Sequence, residues 1–213
     1  MRRTGEESAE SARIVLGLLD AVEHDRAQSQ RLLASELGIA LGLVNAYLKR
    51  CVKKGLVKVR GTPARRYAYF LTPQGFAEKS RLTVEYLSTS FGFFRRAKTD
   101  CLEQFQRAKA NGVGKIVLAG RSDLAEIAAL CAMEFGVEIV GVVQHDTRQG
   151  NFIGLPVLKS LDDIGADVDA VMITGLADAF TLWEEAIARF GAERVYVPNL
   201  LRMGIHRQNK VAS

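Results

Sequence analysis

Eight basic residues and no acidic one lie between Ala40 and Arg66 of this 213-residue chain. They are Lys49, Arg50, Lys53, Lys54, Lys58, Arg60, Arg65 and Arg66. Lysine and arginine side chains gathered on one stretch neutralise phosphate groups. The first chemistry that the sequence predicts is therefore the electrostatic binding of a polyanion. Which polyanion it is depends on the elements that carry the charges.

Those elements have the order of a winged helix. Apolar residues at helical spacing end at Gly38, and a second periodic stretch follows a short turn and closes at Gly55, a residue suited to a left-handed helix cap. Two short strands, 56–59 and 67–71, then flank a loop that contains glycine and proline. An earlier apolar stretch, 14–22, is expected to form a helix that packs behind them, and residues 1–12 are expected to be a frayed lead-in.

The second helix of this motif is the predicted recognition element. If Val44, Leu48 and Val52 face inward, the opposite face is outward and basic. The candidate DNA contacts are Leu41, Gly42, Asn45, Lys49 and Lys53 on the helix, and Arg60, Arg65 and Arg66 on the hairpin. Asn45 would bond an adenine edge, Lys49 a guanine or a phosphate, and Arg65 or Arg66 a phosphate or the minor groove. The alternative is an ordinary solvated face, since exposed Asn and Lys need no functional explanation.

Charge and cysteine usage separate the two halves and exclude some classes. Residues 1–112 hold 20 basic and 11 acidic residues, whereas residues 113–213 hold 9 and 13. The halves are thus expected to have different partners. No apolar run reaches the length of a membrane span, so we expect a cytoplasmic protein without a membrane partner. Cys51, Cys101 and Cys131 match no metal or disulfide spacing and are expected in the core.

Two strings carry a family resemblance. LASELGIALGLVNAYLKRCVKKGLVKV and YAYFLTPQGFAEKSRLTVEYL are similar to the winged-helix domain of MarR-type regulators, in particular the group associated with exopolysaccharide gene clusters. The similarity covers roughly residues 28–87 and implies a transcription regulator that binds duplex DNA. Ala40 departs from the pattern, because a Ser-type N-cap is expected there; its loss costs about 1 kcal/mol.

A long helix is predicted after the wing. Thr72 and Pro73 are suited to its N-cap and first position, and the segment runs to Asn111 and Gly112. Its apolar seam follows heptad spacing through Val84, Leu87, Phe91, Phe94, Lys98, Cys101, Phe105 and Ala108. The seam either packs on its own chain or pairs two copies, and we favour a homodimer that holds two half-sites. Gly92 is a possible kink.

From Gly114 onward the pattern changes to alternating strands and helices. Strands are predicted at 115–119, 137–143, 170–174 and 194–197, and helices at 123–135 and 178–190. Such alternation is typical of a parallel, Rossmann-like sheet. The overall expectation is an α/β protein with a winged helix-turn-helix at 1–72, a linker and dimerisation helix at 73–111, and a Rossmann-like sensing domain at 112–213.

Ligands of such sheets bind at the carboxyl ends of the strands. The candidate ligand contacts are Gly120, Arg121, Ser122 and Asp123 after the first strand, Gln144, His145 and Asp146 after the second, Thr174 and Gly175 after the third, and Asn199 after the last. Arg121 could pair with a phosphate, whereas Asp123 is alternatively a helix N-cap. Of the dinucleotide-binding glycine fingerprint only Gly120 is present.

A second resemblance concerns the effector. VGVVQHD and IGLPVLKSLDDI are similar to the Rossmann-like domains of sugar-nucleotide-modifying enzymes, although Gln144 and His145 replace two acidic residues of that pattern. The layout also resembles the Rex family of NADH-sensing repressors. The resemblances imply a nucleotide-type effector, a nucleotide sugar or alternatively NAD/NADH, and control of polysaccharide biosynthesis genes. No cofactor is expected to be required.

An enzyme is the alternative from another class. The sequence shows no nucleophile–base pair, carboxylate dyad or metal-ligand spacing, so we expect no catalytic and no metal-binding residues. Another alternative is a module that docks a biosynthetic enzyme. The favoured hypothesis is a dimeric regulator whose effector alters the spacing of two DNA-reading heads.

Overall fold

The computed structural model describes residues 3–24, 30–62, 66–145, 151–202 and 204–205, and it describes side chains for these except 3–8, 62, 66 and 67. Its helices are α1 Arg3–Glu23, α2 Gln30–Leu37, α3 Leu41–Lys53, α4 Pro73–Ala110, α5 Asp123–Phe135 and α6 Ala179–Phe190. Its strands are β1 Val57–Thr62, β2 Arg66–Leu71, β3 Lys115–Ala119, β4 Glu138–Val143, β5 Asn151–Phe152, β6 Leu155–Leu158, β7 Ala170–Ile173 and β8 Val195–Tyr196. Two short 3₁₀ helices are Leu161–Asp163 and Ala192–Arg194.

The chain divides into two units by its internal contacts, Met1–Phe91 and Gly92–Ser213. Each described unit has its own apolar core. Helix α4 is continuous over 38 residues and contributes its first half to the first unit and its second half to the other. It does not break at Gly92. The helix predicted over 73–111 is thus present, and its two halves have different packing partners.

The first unit is a winged helix-turn-helix. Its core collects Leu18 and Leu19 of α1, Leu33 of α2, and Val44 and Leu48 of α3, all 3% exposed or less. Gly38 and Gly55 have φ of 62° and 71°, as expected for glycines that end helices. The predicted frayed lead-in is wrong in one respect, because α1 already begins at Arg3.

One predicted core position of α3 is wrong. Val52 is 39% exposed, and Cys51 at 1% exposure completes the buried stripe with Val44 and Leu48. Burial raises the pKa of the Cys51 thiol, against the lowering effect of the Lys54 and Arg50 charges. Cys51 therefore acts as a small neutral core residue. All three cysteines are free and buried, as predicted.

In the LTPQG segment, the Thr72 hydroxyl group connects the start of α4 to the residues between α3 and β1. Thr72 Oγ1 accepts a 3.0 Å hydrogen bond from the Gly75 N–H as the N-cap of α4, and it donates to the Gly55 carbonyl at 2.6 Å. Gly75 is required because a Cβ there would overlap the Leu56 carbonyl oxygen. Thr72 therefore fixes the start of α4 against Gly55, two residues after the end of α3.

The second unit is a doubly wound sheet. Among the described residues its six strands lie in the order β5-β6-β4-β3-β7-β8, parallel except for the pairing of β5 with β6. The chain crosses from β3 to β4 through α5 and then returns past β3 to β7, so the strand order reverses at β3. This is the α/β architecture predicted from the sequence. The predicted strands are confirmed within one or two residues, whereas β5 and β6 were not predicted as strands.

The second half of α4 belongs to the core of this sheet unit. Ala97, Cys101, Phe105 and Ala108 are all fully buried in it. Lys98 lies 3.0 Å from Glu134 of α5 and forms an ion pair with it. The C-terminal half of the predicted heptad seam is thus used within the chain.

In the described ranges, no single helix is long and apolar enough to span a membrane. Helices α2 and α3 reach that length and apolar composition only when taken together, and they are bent by 107° relative to one another.

Candidate nucleic-acid interface and strand-end site

Helix α3 presents one side to a groove beside the hairpin. At 3.6 residues per turn, Asn45, Lys49, Val52 and Lys53 follow one another along this side, which borders the buried stripe at Leu48. The groove has a volume of about 460 Å³. It is lined by Gln30, Asn45, Leu48, Lys49, Val52, Lys53, Val59 and Tyr69, and we call it the α3–wing groove. Three of the predicted DNA contacts therefore share one concave surface.

The groove wall opposite α3 comes from the hairpin. Val59 is paired with Tyr69 across the strands, so both side chains are on the same face. Gln30 Nε2 donates a 3.0 Å hydrogen bond to the Tyr69 hydroxyl, which ties the beginning of α2 to this wall. Both walls of the α3–wing groove are thereby held by packing within the first unit.

The other predicted contacts are distributed around this groove. Leu41 and Gly42 are exposed at the start of α3, and nothing lies within 4 Å of the position a Gly42 Cβ would take. Arg60 is next to Val59 on β1 and so points to the opposite face of the hairpin, where its guanidinium lies 5.6 Å from the Phe70 ring centre. Arg65 and the side chain of Arg66 lie outside the described residues.

The N-terminus of α3 lacks a side-chain cap, as the sequence predicted. Ala40 is the N-cap residue in an extended conformation, and no side chain accepts a hydrogen bond from the first turn. The remaining bonds come from the backbone, where the Leu43 and Val44 N–H groups donate to the Ala40 carbonyl. The first turn of the predicted recognition helix is therefore held by backbone contacts alone.

At the carboxyl ends of the strands, Gly120 and Gly175 pack directly on one another. Gly120 has a φ of 103°, and a Cβ on it would overlap the backbone of Gly175. Thr174 is fully buried, and its hydroxyl donates to the Gly120 carbonyl at 2.6 Å. Both glycines were predicted as ligand contacts. In the structure they allow the two loops to approach each other.

Ser122, not Asp123, is the N-cap of α5, which corrects the alternative role proposed for Asp123. Its hydroxyl accepts hydrogen bonds from the Leu124 and Ala125 N–H groups and donates to the Thr174 carbonyl at 2.6 Å. The Arg121 N–H donates to Gln144 Oε1 at 3.1 Å. Several amides that would meet an anion at this helix start are thus already bonded within the protein.

Among the described ligand candidates near these strand ends, Arg121, Asp123 and His145 have exposed ionisable side chains. The Arg121 guanidinium lies 5.0 Å from the Phe152 ring centre. His145 Nε2 lies 3.1 Å from Glu185 Oε2 of α6. Both side chains of this pair are nearly half exposed, at 43% and 42%.

His145 also lines an open cleft along α6, with a volume of about 590 Å³. The cleft is lined by His145, Ser160, Leu161, Asp162, Glu185, Ala188 and Arg189, and we call it the α6 cleft. Arg189 is fixed there by Asp162, at 2.5 Å, and by the Ile164 carbonyl, at 2.9 Å. Its residues other than His145 were not predicted, because they come from segments far apart in sequence.

Two further predicted residues do not join these surfaces. Asn199 donates its side-chain amide to Glu103 of α4 at 2.9 Å, so it is engaged in packing of the second unit. Asp146 lies outside the described residues.

One acidic cluster has metal-ligand geometry by distance. Asp20, Glu23 and His24 offer ligand atoms within 4.8 Å of one another. The Lys79 ammonium contacts the carboxylates of both Asp20, at 2.7 Å, and Glu23. The Lys79 cation thus already offsets part of the negative charge of this cluster.

Comparison with known proteins agrees with the fold of the first unit. Residues 12–58 match a family model described as winged helix-turn-helix DNA-binding. A comparison with curated proteins found no match. Among solved structures, human N-acetylserotonin methyltransferase in complex with SAM is similar at a TM-score of 0.29 and 13% identity, over 78% of this chain and 66% of that one.

The matched segment contains α2, α3 and all five of the predicted DNA contacts on α3. The first unit therefore carries a winged helix-turn-helix domain of the DNA-binding type, and double-stranded DNA is the partner that such a domain indicates. The α3–wing groove is the part of it that brings polar, basic and apolar side chains together.

Proposed function

We propose that this chain is a sequence-specific, dimeric transcription regulator of MarR-like type whose second unit senses a nucleotide-type effector. The observation that carries the DNA-binding part is the α3–wing groove, in which Asn45, Lys49 and Lys53 share one surface within a segment that matches a DNA-binding family. Asparagine reads adenine edges and lysine reads guanine or phosphate. The absence of acidic residues between Ala40 and Arg66 removes repulsion from the DNA backbone.

The test is selection of a duplex from a random DNA pool by the full chain, followed by titration at several salt concentrations. Lys49→Ala is expected to weaken binding by about 1 kcal/mol, roughly fivefold, and to reduce the salt slope by about one. Lys109→Ala is the matched control, since Lys109 is an exposed lysine in the last turn of α4 in the other unit. Equal effects of the two substitutions, or no selected duplex, would contradict the proposal.

Dimerisation is supported by an exposed apolar stripe on α4. Val84, Leu87, Phe91 and Phe94 follow the 3-4-3 spacing of a coiled-coil seam and are 63%, 44%, 58% and 41% exposed. Large apolar side chains aligned on one exposed helix face are typical of an association surface. We propose that a second copy of this chain covers the stripe and so places two α3 helices on one duplex.

The effector is proposed to be a nucleotide sugar bound in the α6 cleft. Its volume of about 590 Å³ is within the range of small-molecule sites, and its imidazole, hydroxyl, carboxylate and guanidinium groups suit a ligand rich in hydroxyls and phosphate. The Gly120–Gly175 contact and the internally bonded amides around it disfavour NADH with its pyrophosphate at the start of α5. We also propose that the chain acts by regulation rather than by catalysis, with no required cofactor.

Thermal unfolding with a panel of UDP-, GDP- and CMP-sugars and NADH tests the effector. A ligand at 100 times its dissociation constant adds about 2.7 kcal/mol of stability, and His145→Ala should abolish that gain. Asn199→Ala is the control, because Asn199 bonds Glu103 and does not line the α6 cleft. A shift with NADH alone would favour the redox-sensing alternative, and no shift with any compound would contradict the effector proposal.

A further inference from the structure

The α3–wing groove contains two apolar side chains that the DNA contacts described above do not use. Val52 of α3 and Val59 of β1 line it from its two walls, and each is 39% exposed. The residues flanking Val52 toward the solvent are Lys49 and Lys53. An apolar spot thus lies inside a cationic rim.

The surroundings of this spot favour a nucleic acid over an apolar partner. The chain between Ala40 and Arg66 holds eight basic residues and no acidic one, so a partner must bring negative charge to the rim and an apolar group to the centre. In the major groove of DNA, the 5-methyl group of thymine is the apolar group that lies among base edges and beside phosphates. It is absent from cytosine and from both purines.

We infer that Val52, supported by Val59, contacts a thymine methyl group, so that the operator carries a thymine at a fixed distance from the base that Asn45 contacts. This inference rests on the proposed DNA-binding function and adds a specificity-determining residue to it. Asn45 lies about two helical turns before Val52 on the same side of α3. The pair would therefore specify an A·T-containing half-site, Asn45 through an adenine edge and Val52 through the methyl group.

The experiment replaces thymine by uracil, which lacks only this methyl group. A duplex selected by the full chain from a random pool is synthesised with uracil at each thymine position in turn. For the unmodified chain, uracil at one or more of these positions should lower the affinity about fourfold, the effect of losing the burial of one methyl group. For Val52→Ala, the same replacement should change the affinity less than about twofold, since the cycle isolates the contact.

Leu43→Ala is the matched control, because Leu43 is 48% exposed on the other side of α3 and does not line the groove. It should keep the fourfold sensitivity to uracil. Thermal unfolding of both variants confirms that they are folded. If the chain binds a selected duplex but no uracil position weakens binding, or if Val52→Ala keeps the full sensitivity, the inference is overturned while the proposed function stands. If no duplex is bound at about 50 mM salt, both fall.

Discussion

At the scale of single residues, the carboxyl ends of β3 and β7 can lie in contact because each is followed by a glycine, which has no side chain. Gly120 and Gly175 have no Cβ, and their backbones occupy the space that a larger residue would need. The Thr174 hydroxyl bridges the same two loops by donating to the Gly120 carbonyl. This contact between the two loops lies where the strand order of the sheet reverses.

Gly120→Ala is expected to destabilise the second unit by about 2–5 kcal/mol, the sum of left-handed backbone strain and overpacking. Gly136→Ala separates the two effects. Gly136 also has a positive φ, 62°, but nothing lies within 4 Å of its Cβ position, so only about 1 kcal/mol of strain is expected. Urea unfolding of both variants gives the comparison, and equal losses would show that the loop contact is not tight.

The Asp169 carboxylate is expected to make the stability of the second unit depend on pH. Its carboxylate accepts hydrogen bonds from the backbone N–H groups of Lys115 and Gly114, each at 2.8 Å, and these bonds lower its pKa. A carboxyl group whose folded-state pKa is lowered stabilises the protein above its ordinary pKa of about 3.9 and loses this effect as pH falls through the lower value.

The difference in unfolding free energy between the chain and Asp169→Asn should therefore be largest near neutral pH and should shrink as the pH falls below about 4. Denaturant unfolding at a series of pH values measures it. A difference that does not change with pH would mean that the carboxylate charge contributes nothing to the two bonds.

The residue scale also shows why the sequence predicted α3 only in part. Val44 and Leu48 were assigned to the core correctly, but both Cys51 and Val52 continue that stripe at helical spacing, three or four residues on. The larger aliphatic side chain was the reasonable choice from hydrophobicity alone. Which of the two side chains is buried depends on where α3 contacts the hairpin, and this is a tertiary contact that the sequence pattern does not show. The position of Val52 in the groove could not be predicted for the same reason.

At the scale of elements, α4 has two apolar surfaces, one buried and one exposed. Its second half buries Cys101, Phe105 and Ala108 in the sheet unit, whereas Val84, Leu87 and Phe91 are exposed. The seam, which includes Lys98, was predicted either to pack on its own chain or to pair two copies, with no division between the two along its length. The sequence cannot show where a seam passes from one partner to another, because the spacing does not change there.

Introducing charge on the stripe should separate the proposed dimer. Leu87→Glu with Phe91→Glu places two carboxylates in an apolar contact, where burying unpaired charge costs more than such a contact supplies. We expect a change from dimer to monomer in analytical ultracentrifugation. Ser90→Glu, an exposed position off the stripe, is the control and should leave the mass unchanged. A monomeric starting chain would contradict the dimer directly.

Other elements were predicted to different degrees. The winged helix, its glycine caps and the alternating strands and helices followed from periodicity and from turn residues. Strands β5 and β6 have two and four residues and contain few signals of their own, so their pairing was visible only in the structure. The residues of the proposed effector site were the least predictable. The α6 cleft combines loops and a helix face that sequence spacing does not relate.

At the scale of the whole molecule, the proposed regulation requires that the effector and the DNA affect one another's affinity. Coupling between two binding sites is reciprocal. If the effector changes the affinity of the protein for DNA by a given factor, DNA must change the affinity for the effector by the same factor and in the same direction. Such effects are typically 5- to 150-fold.

We expect the nucleotide sugar that raises thermal stability to change the affinity for the selected duplex, measured by fluorescence anisotropy, and to show the same factor in calorimetric titration of the protein–DNA complex. His145→Ala should remove the coupling but leave the DNA affinity without effector intact. An effector that binds with no influence on DNA affinity would leave two functions side by side and would contradict the proposed regulation.

The hydroxyl group of Thr72 gives the first unit a direct mechanical connection. It caps the first turn of α4 and also bonds the carbonyl of Gly55, two residues after the end of α3. Because one hydroxyl group bonds both segments, we expect a rotation of the start of α4 to displace the carboxyl end of α3, the proposed recognition helix. The stiffness of that single junction would then determine how much of any motion of α4 arrives at the bases.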